Sequence, residues 1–461
     1  MKRSFTLLLV TLSLFGASSS NAQIDTISNL SNADKLFGLS KFWSETKYNF
    51  AFFDHANVNW DSTYQAYIPK ILATKSTWQY YQVMARFCAL LKDGHTSVGF
   101  PYSIQHKSRY KWIDIENFDK RFYVTNMPVE YKDKVPLGSE LISVDGVPVM
   151  EYMEKEALPY INASSEHTRW NLAAFTRFLG PDTTQIWRLK LRTPKGKMID
   201  YDYQFHTHAP KWEREIATWH LIEFKMINDI GYLKMNDFSD TSLVTRFKAL
   251  LPQLYKCKGI ILDIRENDGG DTEIGVDILK YFTDKKLLIG SAWKTRDNIA
   301  AYKAWGVYAL KNSKSVDATD NWSKKIISSA KGDYWLKGDT MKFENDVTAP
   351  KINCPLIVLT GNHTVSAAED FVIFLNGIKP RAITMGQRTE GSTGQPLPID
   401  LPGLSGGRIC TKRDTYPDGR DFVGIGIIPD IEVPRRVEDV INGRDGVLDA
   451  ALKQMKKEIN R

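Results

Sequence analysis

The chain has 461 residues, of which 43% are hydrophobic and 25% charged, and its formal net charge is +7. That length and apolar content allow large buried cores in two or three domains. The basic excess is slight and dispersed, without a basic run or a basic-aromatic patch, which excludes the electrostatic footprint of a nucleic-acid-binding protein.

Residues 1–22 read as a secretory signal. Lys2-Arg3 form the charged start, "FTLLLVTLSLFGA" the apolar stretch and "SNA" a small-residue site before Gln23. The apolar stretch falls short of the roughly 20 residues of a membrane span. No cysteine stands near the cleavage point to carry a lipid. The expectation is an exported mature chain without a membrane span, periplasmic or extracellular. Four cysteines (Cys88, Cys257, Cys354, Cys410) are scattered, three of them in or beside apolar segments. That suits small buried side chains, while an even number in an exported protein leaves disulfides open.

Residues 23–107 form a helical region. "LFGLSKFWSETKYNFAFF" and "TWQYYQVMARFCALLKDG" repeat apolar residues at three- and four-residue spacing, and the second runs into the stop signal Asp93-Gly94. His95 follows in the link "DGHTSVGF". Over 108–207 the pattern turns to short strands, "RFYVTNM", "SELISVDGVPV", "IWRLKLRT" and "MIDYDYQF", with turns at "DG" and "PKGK" and a helical insert at "EYMEKEALPYI". Residues 208–461 alternate strand and helix. "CKGIILDIR", "CPLIVLTGN" and "RAITMGQR" read as buried strands, and "DTEIGVDILKYF" and "SAAEDFVIFLNGI" as the helices between them. Such alternation implies parallel strands with helical crossovers, an α/β layer. Residues 285–350 are polar, lysine-rich and weakly periodic, and read as an insertion.

Three segments could carry chemistry. In "LDIRENDGGDTEIG" a glycine pair sits between a buried strand and a helix. It is either a tight turn or a place where the backbone N–H of Gly269 or Gly270 faces an anion. GxGxxG and GxxxxGK are both missing, so neither a dinucleotide nor a P-loop site is implied. In "LKDGHTS", His95 is one of eight histidines, distinguished by a helix end and Gly94 that hold it in place. In "TVSAAED", Ser366 is open to two readings. Ser-x-x-Glu before an apolar run is a capping box, and a serine where strand turns to helix is a nucleophile position. His206-x-His208 lacks further ligands for zinc and HExxH is missing, so no metal is expected.

Taken in order, "DGHT", "LDIRENDGG", "TVSAAED" and "GIGIIPDIEV" resemble the C-terminal processing serine peptidases. The likeness is to the branch of the tricorn protease core and the interphotoreceptor retinoid-binding protein modules, over roughly residues 35–440. The resemblance implies an α+β and α/β multidomain fold: an N-terminal helical segment, a PDZ-like β-rich domain at 108–207 around "VPLGSELISVDGVPVMEYM", and an α/β peptidase core with a ClpP/crotonase-like layer. It implies Ser366 as nucleophile and His95 as base. The oxyanion hole would be the N–H of Ala367 with that of Gly269 or Gly270. No cofactor is implied, and the partner is a peptide or unfolded-protein substrate.

Two departures stand out. The lysine that serves as base in the other branch lies in "T-x-G-K-G", and here "TEGSTGQ" puts Ser392 in its place. This argues against a serine–lysine dyad and for His95, and Ser392→Ala should then be mild. The glutamate that orients the histidine is replaced near Val423, which leaves Glu390 as the nearest acidic substitute and Asp421 behind it. Without that acid, a non-catalytic ligand- or peptide-binding protein on the same fold is the alternative.

Overall fold

A computed structural model describes residues 29–101, 112–174, 185–206, 209–215, 218–312 and 320–461. The expected signal segment lies outside the described residues. Among those described, no helix is long and apolar enough to cross a membrane, and all four cysteines are free thiols.

The described residues begin with the long helices α1 (Asn32–Asn49), α2 (Trp60–Leu72) and α3 (Thr77–Ala89), with one short turn of helix at Phe53–Ala56 after α1. Ser31 and Asp34 form a capping box that starts α1, and the Ser76 hydroxyl accepts the Gln79 N–H to start α3. Trp60 stacks on Phe87 at 4.3 Å, with Phe42 edge-on to Phe87 at 6.0 Å, so an aromatic wedge joins the three. The sequence reading has no counterpart to α2, whose late Pro69 reads as a breaker. A left-handed Lys92 ends the run after α3 and turns the chain into the link that holds His95.

Strands β1 (Asp114–Phe118), β2 (Arg121–Asn126), β3 (Glu140–Val144), β4 (Trp187–Arg192) and β5 (Met198–Tyr203) form an antiparallel sheet in that order. Helix α4 (Glu166–Leu172) covers it. This middle region has its own apolar cluster, in which Phe122, Val124, Leu189 and Leu191 meet Ile161, Ala163 and Trp170.

The largest sheet is built from β6 (Ile222–Ile227), β7 (Ile230–Met235), β8 (Gly259–Asp263), β10 (Leu356–Thr360), β11 (Ala382–Gly386) and β15 (Ile431–Glu432). Its spatial order is β15-β11-β10-β8-β7-β6; every pairing is parallel except β6 with β7. Every residue of β8 and β10 is buried, as two-sided burial of a parallel sheet requires. On one face lie α5 (Ser242–Leu254), α6 (Thr272–Leu279) and α9 (Ala367–Phe374), through Phe247, Ile274, Phe371 and the loop residue Phe238. On the other, α10 (Gly446–Ile459) lays Val447, Ala451 and Met455 over Ile261, Ile357 and Leu359. The apolar runs thus form the expected strand–helix layer. Parallel strands also send their outgoing loops to one edge, where sites of open α/β sheets form.

The segment read as a weakly periodic insertion is ordered into secondary structure. Strand β9 (Ala292–Arg296) pairs with Trp335–Lys337 on one side and with β14 (Lys412–Thr415) on the other. Helices α7 (Ala300–Asn312) and α8 (Asn321–Lys331) form a hairpin, so close that a Cβ on Gly306 would meet Ile326 O at 2.0 Å. The periodicity is faint because these helices bury only a narrow stripe against each other and leave Trp305, Tyr308 and Trp322 exposed. Strands β12 (Pro396–Leu401) and β13 (Ser405–Cys410) form a hairpin, and Ser97–Val98 pairs with β13.

Leu262 is fully buried in β8, between the sheet and the α6/α9 layer. Leu262→Ala removes that packing and should cost about 2–5 kcal/mol. Urea unfolding followed by tryptophan fluorescence is the check, and a shift under 1 kcal/mol would show the layer is not packed as described.

Candidate active site

The site sits at the carboxyl edge of β8 and β10. After β8, the chain turns through 264–271, where Gly269 and Gly270 have φ +89° and +129°. A side chain fits at neither: a Cβ on Gly269 would lie 2.7 Å from Ser366 Cβ, and one on Gly270 2.4 Å from Ser239 N. The buried Asn267 organises this turn. Its amide donates to Met235 O at 3.0 Å, its Oδ1 accepts the Gly269 N–H at 2.9 Å, and its carbonyl accepts the Val365 N–H at 3.2 Å.

After β10, the Thr364 hydroxyl donates to Ile264 O and accepts from Gly361 N, tying the second loop to the first. Ser366 then begins α9 with φ +59° and ψ −122°, backbone that a serine adopts only under constraint. Its side chain caps nothing. The glutamate of the apparent capping box faces elsewhere: Glu369 is fully buried and accepts Gly391 N and Ser392 N, each at 2.9 Å, and the Thr389 hydroxyl. That clasp fixes the loop 389–392, and Ser392 O accepts the Ser366 N–H at 3.0 Å.

His95 arrives from the far side of the sequence. Ser97–Val98 is held against β13, and Thr96 Oγ1 accepts the Cys410 N–H, so the link "DGHT" is pinned. His95 Nε2 lies 3.1 Å from Ser366 Oγ, across 271 positions of sequence. His95 Nδ1 lies 2.8 Å from Ser392 Oγ. Burial, followed by the charges of Arg408 and Lys412, pushes the imidazole down to about 3 from its ordinary 6.5, so it is neutral near pH 7.

Ser366, His95, Ala367, Gly269 and Gly270 therefore converge, with two corrections. The Gly269 N–H is committed to Asn267, which leaves the Gly270 and Ala367 N–H groups without a partner among the described residues. Glu390 is close by but is not the partner of His95; Nδ1 faces Ser392 instead. Burial, with Asp268 and Asp93 beside it, lifts Glu390 to about 8, so near neutrality it is largely uncharged and supplies no anion to the imidazole. Asp421 is occupied elsewhere, paired with Arg413 at 3.0 Å.

A buried imidazole against a serine hydroxyl, beside free amide donors at a helix start, is the equipment of acyl transfer. Residues 229–433 match peptidase family S41. A carboxy-terminal-processing protease of Bartonella bacilliformis is 23% identical over 268 residues, 56% of this chain and 52% of that protein. A carboxyl-terminal-processing protease of a Picosynechococcus strain is 25% identical over 211 residues, 45% of this chain and 39% of its own. The chain thus spans about half or less of the length of these curated relatives. Mature CPAF shares the fold, with a TM-score of 0.69 at 18% identity over 93% of this chain and 98% of that one. A peptidase structure from Parabacteroides merdae, described as putative, gives 0.50 at 19% over 93% and 97%.

Around Ser366 and His95, the sequence reading missed Asn267, Glu369 and Ser392. Ser392 is fully buried on the inner nitrogen of His95. Glu369 carried a signal that pointed to a cap, Ser392 only its place where the other branch has a lysine, and Asn267 none.

Two measurements follow. Glu369→Ala strands three interior donors, and at about 1–3 kcal/mol per unpaired group it should destabilise the fold by several kcal/mol in urea unfolding; a loss under 1 kcal/mol would mean the clasp is not formed. His95 has a folded pKa below its unfolded one, so its unfolded form takes up the proton first. Its contribution to stability is present above pH 6.5 and is lost as pH falls toward 3. Unfolding of wild type and His95→Gln at pH 7.5 and 5 should therefore show the difference moving in the variant's favour at pH 5; a constant difference contradicts a depressed imidazole.

Proposed function

We propose that the chain is an exported serine endopeptidase. The observation that carries this reading is the 3.1 Å approach of His95 Nε2 to Ser366 Oγ, beside the free amides of Ala367 and Gly270. Ser366 Oγ attacks a peptide carbonyl while His95 Nε2 takes its proton. The carbonyl oxygen, now negative, accepts from the Ala367 and Gly270 N–H groups, each worth on the order of 3 kcal/mol in the transition state. The imidazolium returns the proton to the leaving amine, the C–N bond breaks, and an ester to Ser366 remains. Water activated by the same imidazole then cleaves the ester and restores the serine.

The substrate class is an unstructured polypeptide. The middle region is assigned a PDZ-like role, taking an extended segment along a sheet edge and feeding it toward Ser366. Residues 1–22 are assigned to export, which places the mature chain in the periplasm or outside the cell.

Ser366→Ala should lower hydrolysis of labelled casein by roughly 10⁴-fold or more, with the melting temperature kept, and His95→Ala should be nearly as damaging. A fluorophosphonate should label wild type and not Ser366→Ala. Hydrolysis that survives Ser366→Ala removes the reading. An unlabelled, inert wild type would put the ligand-binding alternative in its place.

A further inference from the structure

Ser392, Ser164 and Asp93 have no task in the reaction as written, yet they line the inner side of His95. Ser392 Oγ is 2.8 Å from Nδ1. Ser164 Oγ has two acceptors within reach, Ser392 Oγ at 3.1 Å and Asp93 Oδ1 at 3.2 Å, and it accepts the Gly94 N–H at 3.0 Å. A hydroxyl carries one hydrogen, so Ser164 serves one of these acceptors at a time. That choice selects the tautomer of His95. When Ser164 donates to Ser392, Ser392 can donate its own O–H to the lone pair of Nδ1; the ring proton then sits on Nε2, facing Ser366, and the base is blocked. When Ser164 donates to Asp93, Ser392 Oγ is open to accept from Nδ1–H, with its own hydrogen turned away from the ring. Nε2 then presents a lone pair to the Ser366 hydroxyl.

We infer that Asp93 is the acidic member of this site, acting on His95 through Ser164 and Ser392, so that the middle region completes the site by supplying Ser164. Asp93 and Ser164 are positioning residues, and their role rests on His95 and Ser366 acting as base and nucleophile. Three observations support the relay. Asp93 is buried and lies in the same pinned link as His95, so the acid and the base cannot move independently. Ser164 is fixed from both ends, by the Gly94 N–H and by Ile161, Ala163 and Trp170 in the middle-region cluster. The same stretch grips the loop of Ser392: the Ser165 hydroxyl donates to Glu390 O at 2.5 Å, and His167 Nε2 to Thr389 O at 2.8 Å.

The titratable and charged groups facing Asp93 are Arg408 and Cys410 on β13, Cys88 on α3 and Glu390 on the clasped loop. Arg408, which also donates to Gly94 O, is the cation among them. Burial lifts the Asp93 carboxyl to about 6 against the hydrogen bonds and the Arg408 charge. Above that pH the carboxylate draws the Ser164 hydrogen. Below it, protonated Asp93 donates to Ser164, the chain of hydroxyls runs the other way, and the blocked tautomer is favoured.

The test uses the full chain with labelled casein, reading kcat, KM and the pH profile. Asp93→Asn and Ser164→Ala should each lower kcat 10- to 100-fold with KM within twofold, and Ser164→Thr should recover to within threefold of wild type. The acid limb of kcat near pH 6 should vanish from Asp93→Asn. Wild-type kcat in Asp93→Asn or Ser164→Ala, or an unchanged acid limb in Asp93→Asn, overturns the relay. If Asp93→Asn does not fold, the Ser164 pair decides: a folded Ser164→Thr no better than Ser164→Ala also overturns it. The two levels separate cleanly. Hydrolysis surviving Ser366→Ala sinks the serine reading itself, whereas loss in Ser366→Ala with full activity in Ser164→Ala sinks the relay alone.

Discussion

One buried carboxyl group, that of Glu369, holds the site in register. Glu369 lies one turn into α9, the helix that Ser366 begins, and it gathers the Thr389 hydroxyl with the amides of Gly391 and Ser392. The loop so fixed returns two contacts: Ser392 O takes the Ser366 N–H, and Ser392 Oγ meets His95 Nδ1. The backbone of the serine and the orientation of the imidazole are therefore set by the same helix. Burial lifts Glu369 to about 8 in spite of its three donors, so near neutrality it is, like Glu390, largely uncharged.

The strained serine depends on this arrangement. A non-glycine residue at φ +59° costs on the order of 1–3 kcal/mol and persists only where its surroundings over-determine it. Here Val365 N–H is held by Asn267, Ser366 N–H by Ser392, and Thr364 bridges to Ile264. The consequence is exposure: the hydroxyl is turned off the helix axis toward His95, and the first-turn amide of Ala367 stays unclaimed. A serine in ordinary N-cap geometry would spend its oxygen on the helix. The same residue cannot do both, and the backbone angle decides between them.

How much of this could be read in advance follows from the range of each interaction. β8, β10 and β11 were legible because burial on both faces leaves nearly continuous apolar runs, and the helix after Ser366 because its own residues carry the pattern. α2 and α5 were hidden by Pro69 and Pro252 late in each helix, and β12 to β14 by glycine and charge at turn-like density. At the site, Ser366 and His95 were reached through short motifs in order. Ser392 was reached only as the residue standing where a lysine was expected, and its partner was not foreseeable. The Ser164 to Ser392 contact joins positions 228 apart, and nothing in either neighbourhood announces it. Glu369 misled because a local rule, the capping box, described its spacing while tertiary packing gave it three other donors.

The absence of a lysine at position 392 has a physical reason in this fold. The Ser392 side chain is fully buried, and a Cβ on Gly94 would already meet its hydroxyl at 2.7 Å. A lysine there would have to displace the link that carries His95. Its charge would also join those of Arg408 and Lys412, which add to burial in holding the imidazole in its neutral form. The short hydroxyl at 392 and the glycine at 94 are thus matched: each is small so that the other can approach, and the space they leave is where the imidazole stands.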